Sequence, residues 1–93
     1  RFPSSKRDFS LLLDKNIPYN LIEKLAFEVE SKILEKIELF DVFEGNTIPD
    51  GKKSYGVSFY FTSINKTLTD KNIDKVMNKL KNKFSLSLNA ELR

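Results

Sequence analysis

The 93-residue sequence contains no cysteine and no histidine. Without cysteine, no disulfide can staple the fold and no thiolate can hold a zinc ion. Without histidine, the chain lacks the commonest metal ligand and the side chain that most often moves protons near neutral pH. Serine and threonine remain as nucleophile candidates, with no histidine to activate them, which argues against a free-standing enzyme.

Long apolar runs are also missing, since none reaches the roughly 20 residues that cross a bilayer, and no signal-peptide pattern opens the chain. We therefore expect no membrane partner. The absence of cysteine makes a reducing cytoplasm the expected setting. The three glycines do not open a helix with the spacing of a phosphate-binding loop. The sequence thus gives no sign of a nucleotide-hydrolysing site.

Charge and length allow a small binding domain. The chain has 16 lysines and arginines against 13 aspartates and glutamates, a net charge of +3. This mild bias permits a polyanionic partner without demanding one. A length of 93 residues suits a single domain, spanning 1–93, with one modest core. Because residue 1 is arginine rather than methionine, we expect a fragment of a longer chain.

Apolar residues alternate at every second position in four segments, as in strands, and follow helical spacing in two. The predicted strands are 6–14, 33–44, 53–62 and 86–93. The predicted helices are 19–30 and a second one that Thr69 caps. Since this second helix has room to run on toward Ser87, the start of the last strand is uncertain. The order βαββαβ predicts an α+β, ferredoxin-like sandwich, with a four-stranded antiparallel sheet and both helices on one face.

The helices of such a fold leave the other face of the sheet open. Alternation assigns nine residues to that face: Asp8, Ser10, Leu12, Asp41, Phe43, Ser54, Gly56, Ser58 and Tyr60. The alternation breaks at Leu39-Phe40, where we expect a β-bulge that turns Phe40 inward and leaves Asp41 and Phe43 outward.

This predicted face suits an unpaired nucleobase, which proteins bind by stacking on its plane and hydrogen-bonding its edge. Phe43 and Tyr60 supply planes, and small residues beside them leave room. Asp8 and Asp41 are interpreted as hydrogen-bond acceptors rather than as an acid–base pair. Basic residues near the strand ends offer phosphate contacts: Lys6, Arg7, Lys52, Lys53 and Arg93.

The pattern alone leaves alternatives open. Phe43 and Tyr60 are equally well explained as amphipathic cover on a half-exposed sheet, and the open face also suits docking of another protein domain. The lysines at 71, 75 and 79 are interpreted as a solvated helix face rather than an RNA groove.

Several segments together resemble the ferredoxin-fold anticodon-binding domain of phenylalanyl-tRNA synthetase β chains. The strongest are Glu38-Leu39-Phe40-Asp41-Val42-Phe43-Glu44-Gly45 and Ile48-Pro49-Asp50-Gly51-Lys52-Lys53-Ser54. The others are Phe2-Pro3 followed by Arg7-Asp8, Thr67-Leu68-Thr69-Asp70, and the closing Leu92-Arg93. The resemblance covers essentially the whole chain, in order, and its motifs are specific in combination.

The resemblance implies a domain at the C-terminal end of the β chain of an (αβ)₂ ligase. It implies that the domain binds the anticodon of phenylalanine tRNA, chiefly the guanine at its first position. Stacking is carried over to Phe43, a small bordering residue to Ser10, and polar contacts to Asp41 and Ser54. Position 43 is phenylalanine where the family usually has tyrosine, so stacking is kept and a hydroxyl hydrogen bond is lost. The predicted RNA-binding residues are Arg7, Asp8, Ser10, Asp41, Phe43, Lys53, Ser54 and Tyr60.

The domain itself is expected to perform no catalysis and to hold no cofactor. ATP, magnesium and phenylalanine belong to the parent ligase, whose α subunit and phenylalanine tRNA are the expected partners. The monomeric organellar synthetases carry a similar domain, although the pattern here favours the bacterial type. A generic single-stranded RNA-binding or protein-binding module is the main alternative. An acylphosphatase-like enzyme is disfavoured, because no phosphate-cradling loop with a paired arginine and asparagine is present.

Overall fold

The computed structural model describes residues 4–92 of the chain. Its elements follow the predicted order: β1 (Ser5–Asp14), α1 (Tyr19–Val29), β2 (Leu34–Phe43), β3 (Lys52–Phe61), α2 (Asp70–Leu88) and β4 (Glu91–Leu92). The four strands form one antiparallel sheet in the order β2-β3-β1-β4, which confirms the ferredoxin-like α+β fold. Phe2, Pro3 and Arg93, which carry part of the sequence resemblance, lie outside the described residues.

The main core lies between the helices and one face of the sheet. Alternate residues of β1 and β3 point into it, because successive strand side chains project to opposite faces. Phe59 is at its centre, with its ring stacked on Phe9 at 4.8 Å between centroids and 6.3 Å from the ring of Phe84 on α2. The buried strand residues of this cluster are Leu11, Leu13, Leu34, Ile37, Tyr55, Val57, Phe59 and Phe61.

Helix α2 begins at the predicted cap. The Thr69 hydroxyl accepts a hydrogen bond from the Asn72 backbone N–H, and the Asn72 side chain accepts one from the Thr69 N–H. This reciprocal pair satisfies two of the free donors that every helix start leaves. Neither α1 nor α2, the helices of residues 4–92, is long and apolar enough to cross a membrane.

The predicted last strand is wrong in its extent. Residues 86–88 continue α2, and β4 contains only Glu91 and Leu92. Leu80, Phe84 and Leu88 follow each other at four-residue spacing, so the helical stripe continues through a segment that also alternates like a strand. Asn89 then ends the helix in the left-handed region, with φ of 52°.

Strand β2 contains the predicted bulge, but Phe40 does not point inward. Leu39 pairs with Val57 and Asp41 pairs with Gly56, so Phe40 is the extra residue between two consecutive residues of β3. Its side chain is 58% exposed. The expectation of an inward Phe40 is therefore wrong. The bulge was expected to turn Phe40 inward. Instead, the two residues that share one place opposite β3 are Phe40 and Asp41, and both lie on the side of Gly56 that faces away from the helices.

Candidate nucleic-acid interface

The face of the sheet opposite the helices is the candidate interface, and we call it the open face. The register places neighbouring strands in line across it: Asp8 pairs with Ser58, and Ser10 with Gly56. Between β2 and β3, Asp41 pairs with Gly56 and Phe43 pairs with Ser54. All nine residues assigned to this face from alternation therefore have strand positions on it.

Phe43 stands at the end of β2 beside the loop that leads to β3. Its side chain is 44% exposed, so much of its ring is accessible. The ring lies against Gly45, where a Cβ would come within 2.8 Å of the Phe43 Cζ. The absence of a side chain at Gly45 therefore makes room for this position of the ring. Phe43 offers the open face an aromatic plane, as the sequence predicts.

Phe40 offers a second plane that sequence analysis missed. A Cβ added to Gly56 would come within 2.8 Å of both Cε1 and Cζ of Phe40. Because Gly56 belongs to the open face, the Phe40 ring lies on that face. It occupies space that we had expected to be free for a base. The available signals were the broken alternation at Leu39-Phe40 and a glycine in the middle of a strand.

Asp8 is oriented by its neighbours in the middle of the open face. The buried Ser58 hydroxyl donates a 2.7 Å hydrogen bond to Asp8 Oδ1, while Lys6 Nζ lies 3.9 Å from Oδ2. The Asp8 side chain remains half exposed. A carboxylate held in this way can still accept hydrogen bonds from the edge of a base.

Tyr60 differs from the two phenylalanines because charged side chains of the protein surround it. Lys36 Nζ and Lys6 Nζ lie 4.6 and 5.9 Å from the centre of its ring, within cation–π range. The hydrogen bond to Glu38, together with partial burial and the nearby negative charges, raises the pKa of the Tyr60 hydroxyl. At neutral pH the tyrosine is therefore protonated, and its ring already interacts with cations.

One end of the open face is covered by the protein itself. Leu12 has an open-face position opposite Ser54, and yet it is 8% exposed and separate from the core beneath the helices. Ile48, in the loop between β2 and β3 at the same end, is also buried and also separate from that core. Phe43 pairs with the same Ser54, so this cover borders the Phe43 ring, which is nevertheless 44% exposed. The exposed side chains of the face are those of Asp8, Phe40, Asp41 and Phe43.

The sequence comparison identifies the kind of domain that has this face. Residues 1–93, the entire chain, match the profile of the family described as the ferredoxin-fold anticodon binding domain. The chain belongs to this family. The predicted resemblance is therefore confirmed, and the open face is that of an anticodon-binding domain.

The relatives of this anticodon-binding domain are much longer proteins. The Bacteroides thetaiotaomicron protein named phenylalanine–tRNA ligase beta subunit is 53% identical over 93 residues, which are 100% of this chain and 11% of that protein. Proteins of the same name from Porphyromonas gingivalis and Clostridium acetobutylicum are 50% and 41% identical, again over the whole chain. The chain spans 11% and 12% of their lengths, respectively.

Two predicted site residues of the anticodon-binding domain lie on the helix side of the sheet. Arg7 pairs with Phe59 and donates a 2.9 Å hydrogen bond to Asp70 at the start of α2. Lys53 Nζ lies 4.4 Å from the centre of the Tyr55 ring. The structure therefore does not bring Arg7 and Lys53 together with the six open-face residues. Arg7 and Lys53 lie at odd-numbered positions, as do the core residues of β1 and β3. The alternation in the sequence could therefore have placed them on the helix side.

The described part of the anticodon-binding domain has little that could hold a metal ion. Within residues 4–92, no three acidic side chains converge as a set of metal ligands. What the open face does offer is two exposed rings, carboxylates and hydroxyls. This combination can stack flat groups and accept hydrogen bonds.

Proposed function

We propose that this domain binds the anticodon of phenylalanine tRNA on its open face, with the first anticodon base stacked on Phe43. The observation that supports this most directly is the exposed Phe43 ring on the uncovered side of the sheet, in a chain of the anticodon-binding family. Stacking of a base on an aromatic side chain contributes about 1–3 kcal/mol to binding.

Asp41 is the acid best suited to read a guanine on Phe43. It lies two residues before Phe43 on the same face of β2, and the side chain is exposed. Among residues 4–92, no hydrogen-bond or ion-pair partner occupies its carboxylate. Guanine presents adjacent N–H donors on its pairing edge, which a carboxylate accepts well. Ser54, directly opposite Phe43, is available for a further polar contact.

Ser10 and Asp8 extend this site across β1. Ser10 pairs with Gly56 and its short side chain leaves space beside the rings, while Asp8 stands next along the same face. Arg7 and Lys53 would reach phosphates only around the strand ends. The Tyr60 ring, with its two lysines, would border the RNA as a cationic site.

We infer that the parent protein is a phenylalanine–tRNA ligase β chain, in line with the names of the relatives. The parent would join phenylalanine to its tRNA with ATP and Mg²⁺ in the cytoplasm, together with an α subunit. Within residues 4–92, no acidic ligand cluster fits Mg²⁺. We assign both ATP and Mg²⁺ to other parts of the ligase. To this domain we assign a contribution to tRNA affinity and identity, and no chemical step.

The decisive experiment replaces Phe43 by alanine in the full ligase. We expect the kcat/KM for tRNA aminoacylation to fall by about 5- to 150-fold, which corresponds to the loss of one stacked base. Phenylalanine activation by ATP should stay unchanged, because it does not involve the anticodon. Phe43→Tyr, which keeps the plane, serves as the matched control. Unchanged aminoacylation by Phe43→Ala would remove the stacking role.

Base specificity is tested separately with anticodon stem-loops. The 93-residue chain should bind a stem-loop with guanine at the first anticodon position more tightly than stem-loops with adenine, cytosine or uracil there. Asp41→Asn should reduce this preference, because the amide offers one acceptor and adds a donor. Equal affinity for all four bases would indicate a generic single-stranded RNA-binding module instead.

A further inference from the structure

Phe40 is an exposed aromatic residue that has no role in stacking the first anticodon base. Its ring lies over Gly56 rather than in the core, and 58% of the side chain is accessible. The bulge in β2 gives it this place, because Phe40 is inserted between the residues that pair with Val57 and Gly56. The open face therefore presents two exposed phenylalanine side chains, at positions 40 and 43 of β2.

The strand register gives the separation of the backbone positions that carry the two rings. Phe40 lies over Gly56, and Phe43 stands beside Ser54, so their places on β3 are two residues apart. Two residues of an antiparallel strand span about 7 Å. This is about twice the 3.4 Å separation of successive nucleotides along one strand of a duplex. Two successive bases can thus each stack on a ring of their own only when they are unstacked from each other.

We propose that Phe40 is a second base-stacking residue, so that the open face binds two consecutive unpaired bases of an RNA strand. This inference rests on the proposed function and assigns a neighbour of the first anticodon base to Phe40. Four-stranded sheets that bind single-stranded RNA commonly stack two or three bases on exposed aromatic residues. Asp41, whose Cβ lies 3.2 Å from the same Gly56 position, is close enough to contact either base.

Gly56 determines whether the second ring can lie where it does. Any side chain there would meet Phe40 Cε1 and Cζ at 2.8 Å, closer than carbon atoms normally approach. Gly56→Ala should therefore move the Phe40 ring away from the sheet without removing it. The displaced ring atoms belong to the free end of an exposed side chain. The new methyl group would also come within 3.2 Å of Asp41 Cβ, so Gly56→Ala disturbs Asp41 as well, and Phe40→Ala is the variant that removes the ring alone.

The test measures affinity of the 93-residue chain for an anticodon stem-loop at low salt. Phe40→Ala and Gly56→Ala should each weaken binding by about 5-fold or more, as expected for one lost stacking contact. Phe40→Tyr should retain the affinity because the plane is kept. Leu86→Ala is the matched control, since Leu86 is 87% exposed on α2, away from the sheet. Thermal unfolding confirms that each variant is folded.

Abasic sites then identify what Phe40 touches. Each stem-loop lacks one base, at one of the positions that flank the first anticodon base. Each is titrated against the original chain and against Phe40→Ala. At one flanking position the effect of Phe40→Ala should disappear, because the stacked base is already gone. The effect of Phe43→Ala should persist on that same RNA.

The outcomes separate this inference from the proposed function. If Phe43→Ala weakens binding and Phe40→Ala does not, the second stacking residue is refuted while anticodon binding stands. If Phe40→Ala acts equally on every abasic RNA, Phe40 supports the Phe43 site indirectly and stacks no base. If neither variant changes the affinity, both proposals fail.

Discussion

The two faces of the sheet use phenylalanine in opposite ways. On the helix side, Phe59 and Phe61 are fully buried, and the ring of Phe59 stacks almost parallel on Phe9, at an interplanar angle of 11°. On the open face, Phe40 and Phe43 rest against glycines and leave about half of their surfaces accessible. The same residue type stabilises the domain where helices cover it and remains available to a ligand where they do not.

This difference predicts that stability and RNA binding separate by face. Full burial of a phenylalanine side chain contributes about 1.5–3 kcal/mol relative to leaving it exposed. A half-exposed ring gains only part of that contribution. Removal of a buried ring on the helix side should therefore destabilise the domain, whereas removal of a ring on the open face should weaken RNA binding in a folded protein.

The largest expected effect comes from Phe59→Ala. Because the ring is fully buried between Phe9 and Phe84, its removal should lower the free energy of unfolding by about 3–5 kcal/mol. Urea denaturation followed by circular dichroism measures the loss. Phe43→Ala, analysed in parallel, should cost less than about 1 kcal/mol. Equal losses for the two variants would mean that the faces do not differ as described.

A smaller effect is expected from Ser58→Ala, which connects the two faces. Ser58 is buried and donates to the half-exposed Asp8. Removal of a hydrogen bond to a charged group that solvent partly reaches should cost about 1 kcal/mol of unfolding free energy. RNA affinity should fall as well, since Asp8 loses the contact that orients it. Lower stability with unchanged affinity for the stem-loop would exclude Asp8 from the RNA contacts.

The smallest effect is expected from Tyr19→Phe, on the helix side. The Tyr19 hydroxyl is buried and has no hydrogen-bond partner within residues 4–92. Since an unpaired buried hydroxyl is costly, its removal should raise the unfolding free energy at pH 7, by less than about 1 kcal/mol. RNA affinity should not change, because the open face is not involved. A destabilised variant would indicate that the hydroxyl has a partner in solution.

The same residue makes stability depend on pH in the alkaline range. Burial, with smaller contributions from Glu23 and Glu38, raises the pKa of Tyr19 to about 12. The unfolded chain releases this proton near its ordinary pKa of about 10. The folded state favours the protonated over the ionised tyrosine, so the contribution of Tyr19 to the free energy of unfolding is highest below pH 10 and falls as the pH rises toward about 12. Denaturation midpoints between pH 9 and about 11.5 should fall less steeply in Tyr19→Phe than in the original chain.

Sequence reasoning was most successful where a signal is local. The alternation of Tyr55, Val57, Phe59 and Phe61 predicted β3 and its buried face, and Thr69 predicted the start of α2. It was wrong where two periodicities overlap. The apolar residues of segment 84–92 fit a helix and a strand equally well, and α2 takes most of them. Of the candidate site, the open-face positions were predicted correctly, while the burial of Leu12 and the helix-side positions of Arg7 and Lys53 were not.

By itself, the sequence determined the order of elements, the two faces of each long strand and membership of the anticodon-binding family. Only the tertiary structure decided that Phe40 lies over Gly56, that Leu12 is covered, and that Arg7 joins Asp70. The reason is physical. A period of two is set by one strand alone, whereas the direction of a bulged residue and the cover over a side chain depend on the chain packed beside it.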